Sequence, residues 1–271
     1  MRSRRRTKKF GSIEENFVMS FEKIVEICSF LLERSPLAED CRRYLDGRLS
    51  RKTQKLFDFG YYPNDLNILF SLVGEDILRD TGLLTDKNIY DISSPKTINM
   101  NFFEQHSLVM PYRDAYGNII SIVGRTLFNE KERQEQGISK YKNTVFTKGN
   151  HLFGLFEAKK SILQKSFAYV VEGQFDVIKA FEKGIYNVVA AGSANLTSYQ
   201  LALLSRYTDH IIVAFDNDEA GEQGRQSINK KMANLVHNMW VETDRYLPEG
   251  YKDVCEFLED ERNNEIILTT L

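Results

Sequence analysis

Phe21, Ile24, Val25, Cys28, Leu31 and Leu32 recur at the spacing of a single helix face, and Ser35-Pro36 closes the stripe. A second helix is predicted over residues 37–45, stopping at Gly47, and the two helices take Cys28 and Cys41 as packing residues. Residues 48–100 read as short helical pieces interrupted by Gly60, Pro63, Gly74 and Gly82. Between residues 107 and 128 the pattern turns β-rich: SLVMPY and IISIVGRTLF flank a Gly-Asn turn, which predicts an antiparallel hairpin. Residues 129–140 carry no apolar stripe and are predicted to form a polar surface loop.

Beyond Phe167 short apolar runs alternate with helical patterns. FAYVVE, YNVVAAG, HIIVAFD and NMWVET are predicted strands, separated by helices over DVIKAFEKG, TSYQLALLSRY and residues 219–236. The last helix repeats Ala220, Gly224, Ile228 and Met232 at intervals of four. Alternation of this kind predicts a parallel sheet wrapped by helices. The fold class is therefore α/β, with a mixed α+β N-terminal subdomain followed by a Rossmann-like parallel-sheet subdomain. Ligands of such sheets bind beyond the carboxyl ends of the strands, which points to Glu172, Gly192 and Asp216.

The 271 residues are 42% hydrophobic and 27% charged, enough to bury a sizeable core and incompatible with wholesale disorder. No apolar run approaches the length of a membrane helix, so a soluble protein with no membrane partner is expected. Three dispersed cysteines and four histidines fit neither a disulfide framework nor a zinc site, and suggest a reducing, cytoplasmic setting. The net charge of −2 hides an asymmetry. Arg2, Arg4, Arg5, Arg6, Lys8 and Lys9 make a basic start; residues 123–165 carry a net +5, and residues 166–260 a net −7. A basic segment beside an acidic one suits a chain that grips a polyanion with one part and holds cations with the other.

The acidic part contains Glu172 in VVEGQFD and Asp216 and Asp218 in VAFDNDEAG. Were the chain still extended beyond Phe215, positions 216 and 218 would face the same side. Two carboxylates ~4 Å apart repel by ~4 kcal/mol at an effective dielectric of ~20, so a cation is expected between them. Oxygen donors without nearby His or Cys favour Mg²⁺ or Mn²⁺ over zinc. Asp176 lies one helical turn past Glu172 as a further acid. A lone Asp-x-Asp is more often a turn or a helix N-cap. A calcium loop also matches at Asp216, Asp218 and Gly221, but fails at Ala220 and Ser227. The chain contains neither GxxxxGK[ST] nor GxGxxG.

The stretch VVEGQFDVIKAFEKGIYNVVAAGSANLTSYQLALL, followed by HIIVAFDNDEAGEQGRQ, resembles a TOPRIM domain, specifically that of bacterial-type (DnaG-like) DNA primases. Upstream, YLDGRLSRKTQKLFDFGYYP, VMPYRDAYGNIISIVGRTLF and SKYKNTVFTKGNHLFGLFEAKK are similar to the rest of the primase polymerase domain, so the resemblance spans roughly residues 20–260. TOPRIM motifs are shared with topoisomerases and some nucleases; the combination with KYKNT and the KG-x-x-LFGL pattern is more specific to primases. The resemblance implies metal-binding acids at Glu172, Asp216 and Asp218, supported by Asp176 and Asp253. It also implies nucleotide- and template-contacting residues at Arg125, Lys140 and Lys148, with Tyr141, available to stack on a base, and Asn143 beside them.

The implied organisation is a basic tail (1–19), a template- and nucleotide-binding subdomain (20–165), a metal-binding TOPRIM subdomain (166–260) and a short tail (261–271). The implied activity is template-directed synthesis of RNA primers on single-stranded DNA from nucleoside triphosphates by two-metal nucleotidyl transfer. A metal-dependent TOPRIM nuclease and a non-catalytic DNA-binding subunit of a replication complex are the alternatives. The chain departs from the pattern at Gln105-His106-Ser107, where relatives usually carry arginines, and at Cys255, which replaces an acid. Without the family's zinc-ribbon and helicase-binding modules it resembles a pared-down, phage-like primase. A separate zinc-binding module and a replicative helicase are the partners this implies.

Overall fold

The computed structural model describes residues 11–89, 96–235, 239–243, 247–248 and 250–263. The basic start, and all but three residues of the C-terminal tail, lie outside them. The chain divides into two compact units. One comprises residues 1–48, 54–111 and 119–146, the other residues 49–53, 112–118 and 147–271.

In the first unit helix α1 (Gly11–Arg34) presents Phe21, Ile24, Val25, Cys28 and Leu32 to the core, and α2 (Glu39–Asp46) follows a 3-10 turn over Pro36–Ala38. Next come α3 (Arg51–Leu56), β1 (Gly60–Tyr61), α4 (Leu66–Leu72) and α5 (Glu75–Asp80). Where helical pieces were expected, β2 (Leu84–Ile89) and β3 (Lys96–Asn101) are strands that pair antiparallel over six residues each. The β-branched Thr85, Ile89, Thr97 and Ile98 have strand character that reading by Gly and Pro breaks does not detect.

β4 (Leu108–Arg113) and β5 (Ile119–Arg125) form the expected hairpin around Asp114, whose Oδ1 accepts from the amides of Tyr116, Gly117 and Asn118. The predicted loop at 129–140 contains a helix, α6 (Glu130–Gln136), with no buried residue. A capping box of Asn129 and Glu132 starts it and Gly137, left-handed at φ 66°, ends it. With β6 (Tyr141–Asn143) the sheet order is β1-β4-β5-β6.

The second unit holds α7 (Leu155–Lys165) and the alternation read from the sequence. Its elements are β7 (Ala168–Val171), α8 (Gln174–Glu182), β8 (Val188–Ala190), α9 (Ser198–Leu204), β9 (His210–Val213), α10 (Glu219–Leu235), β10 (Trp240–Glu242) and α11 (Val254–Glu259). The strands are all parallel, in the order β10-β9-β7-β8. Val170, Val189, Ala190, Ile211 and Val213 are fully buried, as a sheet covered on both faces requires. β7 leads through α8 to β8 on one side, and β9 leads through α10 to β10 on the other. The connections therefore diverge between the adjacent strands β7 and β9, which opens a crevice at their carboxyl ends.

Within the first unit β1 packs closely against α1. A Cβ on Gly60 would stand 2.5 Å from the Cβ of Cys28 and 2.8 Å from its carbonyl carbon. Gly60→Ala is expected to cost about 1–3 kcal/mol by forcing strand and helix apart, measured as a lower urea midpoint at unchanged slope.

Candidate metal centre and basic face

Glu172 follows β7 directly, and Asp216 lies three residues past β9, so both flank the crevice. The Asp216 amide donates to Glu172 Oε1 at 3.0 Å, which joins the two strand ends through an acid side chain. Burial, reinforced by the charges of Glu172, Asp176, Asp253 and Asp218, pushes the Asp216 carboxyl up to about 7. Burial likewise lifts Glu172, and Asp218 adds to the rise; the Asp216 amide and the Arg225 guanidinium oppose it. The other four acids singled out in the sequence thus all bear on Asp216.

Three of the five also have local work. The chain leaves the sheet at Val213, so strand alternation does not set Asp218; it stands at the entry to α10, its Oδ1 accepting from the Gly221 amide at 2.8 Å. Asp253 caps α11 by accepting from the Glu256 amide at 2.7 Å. Asp176 is buried, with Oδ2 accepting from the Gly173 amide at 3.0 Å and Oδ1 from the Cys255 amide at 3.1 Å. A bare hydrogen-bonding role accounts for Asp176 without a metal. Among the described residues no hydrogen bond reaches the Asp216 carboxylate, and every charge that shifts it is negative.

Among the described residues no three His, Cys, Asp or Glu side chains close to the spacing of a ready-made metal cage. The donor set still fits Mg²⁺ or Mn²⁺. Such ions are held by one or two carboxylates while keeping waters and substrate phosphates, and Glu172 and Asp216 supply hard oxygens and uncompensated charge. Cys255 is no substitute ligand for a hard ion: burial, then Glu259, Asp176 and Asp253, pushes its thiol up to about 12.

The sequence did not mark the residues that fix the Asp216 loop. Arg225, buried in α10, donates to the carbonyls of Phe215 (3.1 Å) and Asp216 (3.3 Å). Asn217 Nδ2 lies within 2.8–3.4 Å of the carbonyls of Tyr251, Pro248 and Leu247, and its amide donates to the Lys252 carbonyl at 2.8 Å. Glycines let helix and loop meet: a Cβ on Gly221 would stand 2.2 Å from the Asp216 carbonyl oxygen, and one on Gly224 2.1 Å from that of Ala194.

The basic candidates fall in both units. Arg125 pairs across the ladder with Tyr141, and Val123 with Asn143. Arg125 lies 5.1 Å over the Tyr141 ring and donates to its hydroxyl; Lys140 lies 5.7 Å over the same ring. Arg125 also lies 5.0 Å over Tyr44 of α2, and so does Arg48. Tyr44 and Arg48, an i, i+4 pair, thus extend the series to Arg48, Tyr44, Arg125, Tyr141 and Lys140 in the first unit. Lys148 belongs to the second unit, where its ammonium donates to the Gly192 carbonyl over a glycine that leaves room for its stem. Burial holds its pKa below the ordinary lysine value. His106 is buried and donates from Nε2 to the Ser139 carbonyl at 2.9 Å.

Residues 30–159 match the family described as DNA primase catalytic core, N-terminal domain, and residues 169–258 match the Toprim-like family. The chain belongs to the DnaG-type primase catalytic-core family. It is 33% identical over 242 residues to the DNA primase of Aquifex aeolicus, covering 89% of this chain and 46% of that protein. With the DNA primase of Synechocystis it shares 31% over 243 residues, covering 87% and 37%. It spans less than half the length of these curated relatives. The Aquifex primase crystal structure, comprising zinc-binding and RNA polymerase domains, superposes with a TM-score of 0.74 at 29% identity over 95% of this chain and 61% of that one. The E. coli primase catalytic core gives 0.74 at 25% over 93% and 79%. Among the described residues no helix is long and apolar enough to cross a membrane.

Because its carboxyl titrates higher in the fold than in the open chain, Asp216 binds a proton natively between about pH 4 and 7 that the unfolded state has lost. Its contribution therefore falls as pH rises through this window. Asp216→Asn is expected to be more stable than the parent at pH 8, by about 1–2 kcal/mol once solvent screening is allowed for. The gain should vanish near pH 4, as followed by thermal melts across pH.

Proposed function

We propose that the chain is the polymerising part of a primase, joining ribonucleoside triphosphates on a single-stranded DNA template. The observation that carries this reading is the acid pair Glu172 and Asp216 at the β7/β9 crevice, with Asp216 left uncompensated, in a chain whose family is that of primase catalytic cores. Mg²⁺ or Mn²⁺, when bound there, supplies the positive charge that acidifies a 3′-hydroxyl and steadies departing pyrophosphate. Glu172 and Asp216 hold and orient that charge, and Asp218 and Asp253 add to the field that draws it in. Asp176 keeps the first turns of α8 and α11 in register beneath them.

Arg125 and Lys140 lie on the first unit as phosphate contacts, with Arg48 alongside and Tyr44 and Tyr141 holding their guanidinium and ammonium groups in place. Asn143, on the same short strand, is assigned as a nucleotide contact beside them. Lys148 is assigned to nucleotide phosphate: its ammonium is held at the end of β8 by one carbonyl, so two of its three donors remain for a ligand. A zinc-bearing module and a replicative helicase are proposed partners, as is a cytoplasmic site of action.

Incubation with single-stranded DNA, labelled ribonucleotides and Mg²⁺ or Mn²⁺ should yield short RNA products. Asp216→Asn should lose at least 100-fold of this synthesis while remaining folded. Nicking of plasmid DNA by the parent without any RNA product would instead identify a nuclease. Lys140→Ala should weaken template binding at every sequence and reduce the slope of log K against log salt by about 1, read by fluorescence anisotropy; an unchanged slope removes Lys140 from the template contacts.

A further inference from the structure

Resting on the metal reading above, we infer that Asn217 is a positioning residue that delivers Asp253 to the Asp216 site by clamping the strap that precedes α11. The strap, described at residues 247–248 and 250–253, is remote in sequence from the Asp-x-Asp loop and carries the one acid of the set that belongs to no strand end or following helix of the sheet. Asn217 sits between Asp216 and Asp218 and turns its amide away from both. Nδ2 reaches the carbonyls of Leu247 (3.4 Å), Pro248 (3.2 Å) and Tyr251 (2.8 Å). Three acceptors around one NH₂ fix its orientation, because the flipped amide would set oxygen against oxygen. The backbone amide of the same residue holds the Lys252 carbonyl, immediately before Asp253.

From the far side, Asp176 accepts from the Cys255 amide, so Asp253 is bracketed. The Asn217–Lys252 backbone bond joins the residue after Asp216 to the residue before Asp253, so the two acids lie on chain segments held side by side. The clamp thus brings a third anion toward the acid pair against like-charge repulsion, and raises the site's attraction for a divalent cation. Residues that act on a metal through its ligands commonly change affinity by about 10–100-fold.

The test uses the whole chain with Mn²⁺ alone, bound and free ion being separated by electron paramagnetic resonance. Asn217→Ala should lower Mn²⁺ affinity about tenfold, as should Asp253→Asn. Because the first acts through the second, the double variant should bind no more weakly than Asp253→Asn alone. Unchanged affinity in Asn217→Ala, or a double variant whose losses multiply, overturns the inference. Should Asn217→Ala melt below the working temperature, Asn217→Ser, which keeps one donor, takes its place under the same criteria. Hydrogen exchange over residues 247–253 reads the clamp without metal: faster exchange in the variant is expected, and unchanged exchange overturns it. If the parent takes up no Mn²⁺, the metal reading and the delivery fall together, while exchange still reports whether Asn217 holds the strap.

Discussion

Like charges repel most where water is scarce, and the parallel sheet of the second unit ends its two central strands in acids at a half-buried crevice. Glu172 meets the Asp216 backbone at 3.0 Å, and the other acids bear on Asp216 from α8, from the entry to α10 and from the segment before α11. The fold can keep these groups together because their spare oxygens are occupied by amides: those of Gly173 and Cys255 on Asp176, Gly221 on Asp218 and Glu256 on Asp253. Hydrogen bonds of this kind stabilise an ionised carboxylate without neutralising it. Asp216, which lacks them, remains protonatable near neutrality, and is therefore where an external cation gains most.

Backbone approach is the second condition. Gly221 and Gly224 let α10 come within van der Waals range of the Asp216 and Ala194 carbonyls, distances at which any side chain would collide with backbone rather than with a movable tip. Arg225 then fills the inner side of the same turn, holding two carbonyls that would otherwise be buried without donors. Its charge bears on Glu172, not Asp216, so the internal cation eases one member of the acid pair and leaves the other uncompensated.

The alternation of the second unit was legible because strands buried on both faces must be continuous apolar runs, and FAYVVE, YNVVAAG and HIIVAFD have no other economical reading. α6 was not, because a helix without a buried side leaves no hydrophobic period; its signal was the Asn129/Glu132 box and Gly137, local hydrogen-bond chemistry that periodicity does not weigh. The acid positions were visible, yet Asp218 stands where it does as a helix cap and not through strand alternation. Asn217 and Arg225 were silent because their work depends on which carbonyls the fold brings beside them. Tyr44 and Arg48 were silent too: only tertiary structure sets α2 against β5 and β6.

The ring stack bears on how a strand of DNA would be held. Tyr141 has Arg125 and Lys140 over its ring and receives a bond from Arg125 through its hydroxyl, so a base can stack there only by displacing a cation. An exposed cation–π contact is worth about 0.5–1 kcal/mol, and base stacking on an aromatic side chain about 1–3 kcal/mol. The Lys140 contact is the longer of the two, and Arg125 also lies over Tyr44. Under the proposed function, a base stacked on Tyr141 would leave a displaced cation beside the neighbouring phosphate, and stacking and charge neutralisation would meet at a single tyrosine.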